Sequence, residues 1–276
     1  MNRPDKTIIY SDLDGTFLDA RNYSFLEALP ALLEARKKEF LIVFCSSKTR
    51  SEIEYIRKAT GVNDPFIAES GGAIFIPQGY FPFSVKGSTH RSGYEVIEMG
   101  GPYWGLVELI RALRSASHNL SVVGFSDLTT GHLALECNLT YDEAKRAKDR
   151  AYSEPLRFYN ATAEARQDFL QKIRWAGLDY SNGGRYYHIH GAFDKGRAVR
   201  ALNTLYRKAF GSIKTVGIGD SLNDASMLSS VEKMIIVKNT DDTHHPELVR
   251  QFPHAQLTRG IGPRGWADAI LQLVNE

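Results

Sequence analysis

The chain has 276 residues, of which 43% are hydrophobic, and its formal net charge is +2. This length and apolar fraction allow one large domain or two modest ones with a sizeable core. The small net charge gives no reason to expect nucleic acid or an anionic membrane as a partner. No apolar run approaches the length of a membrane span, and the polar start, Met1 to Thr7, lacks a signal-peptide pattern. The two cysteines, Cys45 and Cys137, are too few for a disulfide framework, which favours a reducing, cytoplasmic setting.

The stretch from Ile8 to Leu18 carries the first chemical signal. Ile8 to Tyr10 is an apolar run typical of a buried strand. Asp12 and Asp14 follow it, at the sheet edge where open α/β sheets bind ligands. Side chains two apart in extended backbone share a face, so we expect the two carboxylates side by side. Such a pair suits Mg²⁺, or a nucleophile with a proton shuttle, although acids in an isolated pair are more often solvated turn residues.

The next strand ends in a second polar cluster. Phe40 to Cys45 predicts a buried strand, and Ser46, Ser47 and Lys48 follow it. A hydroxyl and the free amides that begin a helix together form an anion site. The alternative is that the serines only cap the helix, and this alternative is stronger for Ser47 than for Ser46.

The third pattern is the run from Thr215 to Asp224. A buried strand ends at Gly219, and Asp220 and Asp224 lie four apart across a turn that opens a helix. Acids at this spacing can face one cation. Upstream, Lys195 begins a long predicted helix, and in isolation this position indicates no more than a helix start.

The middle of the chain changes character. A capping box predicts a charged helix from Tyr141 to Tyr152, and Tyr94 to Met99 and Arg185 to His190 read as strands. These elements form a separate α+β layer inserted into the parallel-sheet domain.

Taken together, the motifs resemble those of the haloacid dehalogenase-like phosphohydrolases, through DLDGT at 12–16, the Ser46 turn, Lys195 and GDSLND at 219–224. The resemblance implies an α/β fold, a Rossmann-like parallel-sheet core with an inserted α+β cap. We expect the core at residues 1–86 and 191–276, and the cap, which selects the substrate, at residues 87–190.

The resemblance also implies site residues. Asp12 attacks phosphorus and forms an aspartyl-phosphate, and Asp14 moves protons. The expected catalytic residues are Asp12, Asp14, Ser46 and Lys195. The expected Mg²⁺ ligands are Asp12, Asp14 through its backbone carbonyl, Asp220 and Asp224. Ser70 stands where many members carry Asn, so it is a further candidate beside the site. The expected substrate-binding residues are Ser47, Lys48, Glu69, Arg185, His188 and Asn223.

Within that superfamily the chain resembles the mannosyl-3-phosphoglycerate phosphatases, through AKDRAYSEP at 147–155, the strand at 185–188 and GPRGW at 262–266. This implies a phosphoric monoester hydrolase that releases mannosylglycerate, acting as a monomer or homodimer. Arg185 is expected on the substrate carboxylate and His188 on a hydroxyl, unless both are ordinary strand residues. Alternative substrates are glucosyl-3-phosphoglycerate and sucrose, trehalose or flavin-pathway phosphates. A phosphomutase and a non-catalytic sugar-phosphate sensor are further alternatives.

Overall fold

The structure, a computed structural model, describes residues 5–117, 120–182 and 185–276. The first elements are β1 (Lys6–Ser11), α1 (Leu29–Lys37), β2 (Leu41–Phe44), α2 (Arg50–Thr60), β3 (Phe66–Ala68), β4 (Ala73–Pro77), β5 (Thr89–Arg91) and β6 (Tyr94–Glu98). The next are α3 (Tyr103–Ser115), β7 (Ser121–Gly124), α4 (Thr130–Cys137), α5 (Tyr141–Ala147), β8 (Ser153–Tyr159), α6 (Ala163–Trp175), β9 (Asp179–Asn182) and β10 (Tyr187–His190). The last are α7 (Lys195–Phe210), β11 (Ile213–Gly219), α8 (Ala225–Leu228), β12 (Lys233–Lys238), α9 (Pro246–Gln251), β13 (Gln256–Ile261) and α10 (Gly262–Val274).

The central sheet is parallel, with strand order β13-β12-β11-β1-β2. Strand β1, which lies between β11 and β2, buries Ile8, Ile9 and Tyr10 completely, which explains the unbroken apolar run. A parallel bridge between Cys45 and Ile67 connects β2 to β3, and so to an antiparallel sheet of order β3-β4-β6-β5. The carboxyl ends of β1, β2 and β11 therefore meet at one edge, and the predicted α/β fold is confirmed.

Helix starts follow the predicted local chemistry. The Oγ1 of Thr49 accepts a hydrogen bond from the N–H of Glu52, whose carboxylate accepts one from the N–H of Thr49. Pro30 lies in the first turn of α1, where its missing N–H costs nothing. None of the helices in the three described segments is both long and apolar enough to cross a membrane.

A second layer covers the carboxyl edge of the central sheet. Its antiparallel sheet has the order β7-β8-β10-β9, and α3 and α6 pack on it through Ile110, Phe169 and Ile173. The predicted boundary at residue 87 would place β5 and β6 in this layer, but β6 pairs with β4 along its whole length. We therefore propose that the cap begins near Gly100 and ends near His190.

Helix α5 is shorter than the sequence predicts, because it ends at Ala147 rather than Tyr152. The Nζ of Lys148 donates to the carbonyl of Phe125 at 2.6 Å. The backbone N–H groups of residues 151–153 donate to the carboxylate of Glu69 in the core. Bonds to distant parts of the chain thus replace those that would have continued the helix.

Candidate active site

A cavity of about 350 Å³ lies between the carboxyl edge of the central sheet and the cap. Residues that follow β1, β2 and β11 form its floor, which is where parallel sheets present functional side chains. The floor residues are Asp12, Asp14, Ser47, Lys48, Glu52, Asp220, Ser221 and Asn223. The cap residues that line it are Phe125, Leu139, Ala147, Arg150, Asn182, Tyr186 and His188.

The floor is built around buried carboxylates. Asp12, Asp220 and Asp224 each offer an oxygen, and these oxygens lie within 4.8 Å of one another. The Nζ of Lys195 lies 2.6 Å from Oδ1 of Asp12 and 2.6 Å from Oδ1 of Asp224. Thr16 donates to Oδ1 of Asp220 at 2.9 Å. Among the described residues of this cluster, one ammonium group faces three carboxylates, so the buried cluster carries excess negative charge.

The excess charge shifts the protonation equilibria of the cluster. Burial, followed by the charge of Asp224, raises the pKa of Asp12 to about 7, although Lys195 opposes both. Burial with the charges of Asp224 and Asp12 raises the pKa of Asp220 well above its ordinary value. Burial works to lower the pKa of Lys195, but Asp12 and Asp224 outweigh it and raise that pKa. Lys195 therefore stays protonated. Its single positive charge does not balance the three carboxylates, so a second cation would stabilise their ionised forms.

The cluster fits Mg²⁺, which prefers carboxylate oxygens. Two glycines make the close packing of its acids possible. A Cβ at Gly15, where φ is +77°, would lie 2.8 Å from Oδ2 of Asp220. A Cβ at Gly219 would lie 2.5 Å from Cγ of Asp224. Both positions exclude any side chain, so the DLDGT and GDSLND glycines bring the carboxylates together.

The carboxylate of Asp14 pairs with Lys48, whereas that of Asp12 pairs with Lys195. The Nζ of Lys48 lies 3.0 Å from Oδ1 of Asp14 and 3.6 Å from Oε1 of Glu52, above the ring of Tyr23. Burial works to lower the pKa of Lys48, but Asp14 and Glu52 outweigh it and raise that pKa. Both acids of the first motif line the cavity, yet each is held by a different lysine.

The two serines after β2 occupy different positions. Ser46 is 1% exposed, and its Oγ accepts a hydrogen bond from the N–H of Lys48 at 3.2 Å. Ser47 lines the cavity, and its carbonyl accepts a hydrogen bond from Arg150 at 2.9 Å. Asn223 also lines the cavity, as the sequence predicts. The role of Ser46 on a phosphoryl group stays a prediction.

Glu69 is directed at the cap backbone rather than at the cavity. Its carboxylate accepts hydrogen bonds of 2.8 to 3.0 Å from the N–H groups of Ala151, Tyr152 and Ser153, and one of 2.8 Å from the Oγ of Ser153. It is 2% exposed and does not line the cavity. The geometry of Glu69 supports a role in holding the cap segment, and its predicted role in substrate binding stays a prediction.

His188, on β10, lines the cavity, whereas Arg185, which precedes that strand, does not. The Nδ1 of His188 is buried and finds no hydrogen-bond partner among the described residues. Burial, followed by the charge of Arg150, lowers the pKa of His188 to about 3, so the imidazole is neutral. Arg185 is exposed, lies over the ring of Tyr186 and is absent from the cavity lining. Arg150 lines the cavity instead, and the sequence does not predict this because the predicted helix extends through that position.

The comparison with known families decides the classification. The model of the haloacid dehalogenase-like hydrolases matches residues 9–82 and 141–247. The chain belongs to this family. This haloacid dehalogenase-like hydrolase is 40% identical to a glucosyl-3-phosphoglycerate/mannosyl-3-phosphoglycerate phosphatase of Methanococcoides burtonii, over 98% of both chains. It is 34% identical to a mannosyl-3-phosphoglycerate phosphatase of Pyrococcus furiosus, over 83% of this chain and 90% of the relative.

The fold of this hydrolase also matches solved structures. A crystal structure from Thermoplasma acidophilum superposes with a TM-score of 0.69 at 15% identity, over 98% of this chain and 99% of that one. The predicted family and fold are therefore confirmed. The predicted enzyme class, a phosphoric monoester hydrolase, is confirmed by the family match together with the phosphatase relatives.

Proposed function

We propose that this hydrolase removes phosphate from mannosyl-3-phosphoglycerate, with glucosyl-3-phosphoglycerate as the second substrate. The observation that carries the proposal is the buried cluster of Asp12, Asp220 and Asp224 around Lys195, of which Asp12 and Asp220 line the floor of a cavity between the core and the cap. Such a floor suits a phosphoryl group, and the room above it suits the rest of an ester. The names of the two phosphoglycerate-ester phosphatases that it resembles supply the substrate class.

In the proposed reaction, the carboxylate of Asp12 attacks phosphorus in line and forms an aspartyl-phosphate. Lys195 holds that carboxylate at 2.6 Å and favours its ionised form. Mg²⁺ bound by Asp12, Asp220, Asp224 and the carbonyl of Asp14 would neutralise charge on the phosphoryl oxygens. Two pieces of machinery, an oriented nucleophile and a cation site, thus converge on one phosphoryl position.

Asp14 performs the proton transfers in this proposal. It donates a proton to the leaving oxygen, and it accepts one from the water that hydrolyses the aspartyl-phosphate. Lys48 holds Asp14 at the cavity edge, at 3.0 Å. Ser46 and Asn223 orient phosphoryl oxygens, and the cap keeps other water away from the intermediate.

A sensor would not need both the nucleophile and its acid/base partner, so the retention of Asp12 and Asp14 favours an enzyme. A phosphomutase would need a bisphosphorylated activator. The cytoplasmic setting stays a prediction that rests on cysteine usage; both cysteines are free and buried. The monomeric or homodimeric state also stays a prediction.

Phosphate release tests the proposal. The substrates are mannosyl-3-phosphoglycerate, glucosyl-3-phosphoglycerate and 3-phosphoglycerate, each with and without Mg²⁺. We expect kcat/KM for a glycosylated ester to exceed that for 3-phosphoglycerate at least about a hundredfold, or about 2.7 kcal/mol in the transition state. Equal, slow release from all three esters would keep the phosphatase chemistry and remove the substrate assignment.

A further inference from the structure

The guanidinium of Arg150 is held rigidly in the wall of the cavity. Arg150 is 9% exposed. Its Nε donates to the carbonyl of Ser153 at 2.8 Å, and its Nη2 donates to the carbonyl of Ser47 at 2.9 Å and to the Oγ of Ser153 at 2.8 Å. Ser153 is itself bonded to the carboxylate of Glu69 through its N–H and its Oγ. Hydrogen bonds to Ser47 of the core and Ser153 of the cap therefore orient the Arg150 side chain.

These bonds use only part of the guanidinium. Nε and Nη2 each donate hydrogen bonds, and Nη1 donates none to an acceptor in the described part of the chain. The carboxylate nearest to Arg150 is that of Glu69, at 3.6 Å from Nε, and its oxygens already accept four hydrogen bonds. Arg150 thus offers the cavity both a positive charge and a donor that is not used by the protein.

The described cavity lining contains a second basic side chain, Lys48, which already pairs with protein carboxylates. Its Nζ lies between the carboxylates of Asp14 and Glu52. His188, on the same wall as Arg150, is neutral because its pKa lies near 3. Within the described lining, Arg150 is therefore the group suited to a second anionic part of the substrate, beyond the phosphoryl group on the floor.

We propose that Arg150 binds the carboxylate of the substrate and makes this enzyme selective for phosphate esters of hydroxy acids. The inference rests on the proposed function, because that function supplies an ester with a carboxylate near the phosphate. A planar guanidinium with a fixed orientation recognises a carboxylate better than a mobile ammonium does. Arg150 takes the role that the sequence predicts for Arg185, which is exposed and outside the cavity lining.

The test compares two esters that differ only at the carboxylate. One is mannosyl-3-phosphoglycerate, and the other is mannosylglycerol 3-phosphate, in which CH2OH replaces the carboxylate. We would measure kcat and KM for both with the wild type and with Arg150→Gln, Arg150→Lys and Arg185→Gln. Arg111→Gln is the matched control, since Arg111 is half-exposed on α3 and lies 3.8 Å from Asp127.

We expect the wild type to prefer the carboxylated ester about tenfold to a hundredfold in kcat/KM, the range of a charged hydrogen-bonded contact. Arg150→Gln should abolish this preference, mainly by raising KM for the carboxylated ester, while the ester that lacks the carboxylate is little affected. Arg150→Lys should recover part of the preference because it keeps the charge. Arg111→Gln should behave as the wild type.

Several outcomes would overturn the inference. They are a wild type without preference, a preference that survives in Arg150→Gln, and a preference that disappears in Arg185→Gln instead. An equal loss for both esters in Arg150→Gln would also overturn it, since that pattern marks a structural role. If Arg150→Gln fails to fold, Arg150→Lys and the wild-type comparison still decide.

Failure of the proposed function gives a different pattern. The wild type would then hydrolyse p-nitrophenyl phosphate with Mg²⁺ but neither mannosylated ester, and the role of Arg150 would fall with it. Turnover of both mannosylated esters without discrimination would leave the proposed function in place and remove only the inference about Arg150.

Discussion

Trp266 donates a hydrogen bond from Nε1 to the Oγ of Ser11 at 3.0 Å. The same Oγ donates to the carbonyl of Asp12 at 2.7 Å, so the indole of the last helix supports the backbone of the proposed nucleophile. The ring is fully buried and meets Phe17 edge to face at 4.9 Å. The GPRGW motif therefore has a structural reason: it begins α10 beneath the first catalytic loop.

Replacing this indole should destabilise the protein. Trp266→Phe keeps an aromatic ring but removes the donor and leaves space, which should lower the free energy of unfolding by about 1–3 kcal/mol. Urea denaturation measures the change. Trp104→Phe on α3 is the control, because Trp104 is 68% exposed and should change little. Similar losses in the two variants would show that the bond to Ser11 contributes nothing specific.

Removing the proposed nucleophile should abolish activity without unfolding the chain. In Asp12→Asn the amide oxygen can still accept the hydrogen bond from Lys195, but it cannot form an aspartyl-phosphate. We expect kcat for mannosyl-3-phosphoglycerate to fall at least about a thousandfold. The variant should still unfold cooperatively on heating, which shows that it is folded. Asp168→Asn, on an exposed turn of α6, is the control and should keep full activity. A tenth of wild-type activity in Asp12→Asn would refute the nucleophile assignment.

Mg²⁺ should stabilise the folded chain through the buried acids. At a concentration a hundred times its dissociation constant, a ligand of the native state contributes about 2.7 kcal/mol. Thermal denaturation of the wild type with and without Mg²⁺, at constant ionic strength, measures this. Asp220→Asn should lose most of the shift, because one of the three clustered carboxylates is gone. The same Mg²⁺-dependent shift in Asp220→Asn and the wild type would place the ion elsewhere.

The stability of the protein should depend on pH through His188. Its pKa is about 3 in the folded state and about 6.5 in an unfolded chain, so the unfolded chain binds the extra proton. This contribution is fully present above pH 6.5 and is lost as pH falls toward 3, by about 1.4 kcal/mol per pH unit.

Denaturation of the wild type and of His188→Gln between pH 7 and 5 isolates this contribution. The free energy of unfolding should fall less steeply in His188→Gln, and the difference removes the common effect of other groups. His132→Gln, at an exposed position of α4, is the control and should follow the wild type. Parallel curves for the wild type and His188→Gln would exclude His188 as a source of acid destabilisation.

Glu69→Gln should loosen the attachment of the cap segment. The amide group of Gln can replace only one carboxylate oxygen as an acceptor, so at least one N–H of residues 151–153 loses its partner. We expect a loss of about 1–3 kcal/mol in the free energy of unfolding and a higher KM. Limited proteolysis should cleave near Arg150 sooner. Glu108→Gln, on the exposed face of α3, should change neither quantity.

Much of the fold could be read from short stretches of sequence. The apolar run at Ile8, the capping box at Thr49 and the proline at position 30 place their elements correctly, since each depends on residues close in the chain. The proximity of Asp220 and Asp224 has the same origin, because a strand end and the following turn bring the two acids together. Local backbone geometry decided these features.

Other features depended on partners far along the chain. The apolar pattern of Tyr94 to Glu98 predicts a strand but not that it pairs with β4. The sequence alone makes Glu69 a candidate site residue, whereas in the fold its carboxylate accepts hydrogen bonds from the backbone of residues 151–153. These bonds replace those that would have continued α5. From the sequence, Arg150 is one of several charged residues on a predicted helix, and Arg185 is the cap residue expected to bind the substrate carboxylate. Which arginine faces the cavity depends on how the cap packs on the core, because long-range hydrogen bonds compete with local ones and short sequence patterns contain no information about those partners.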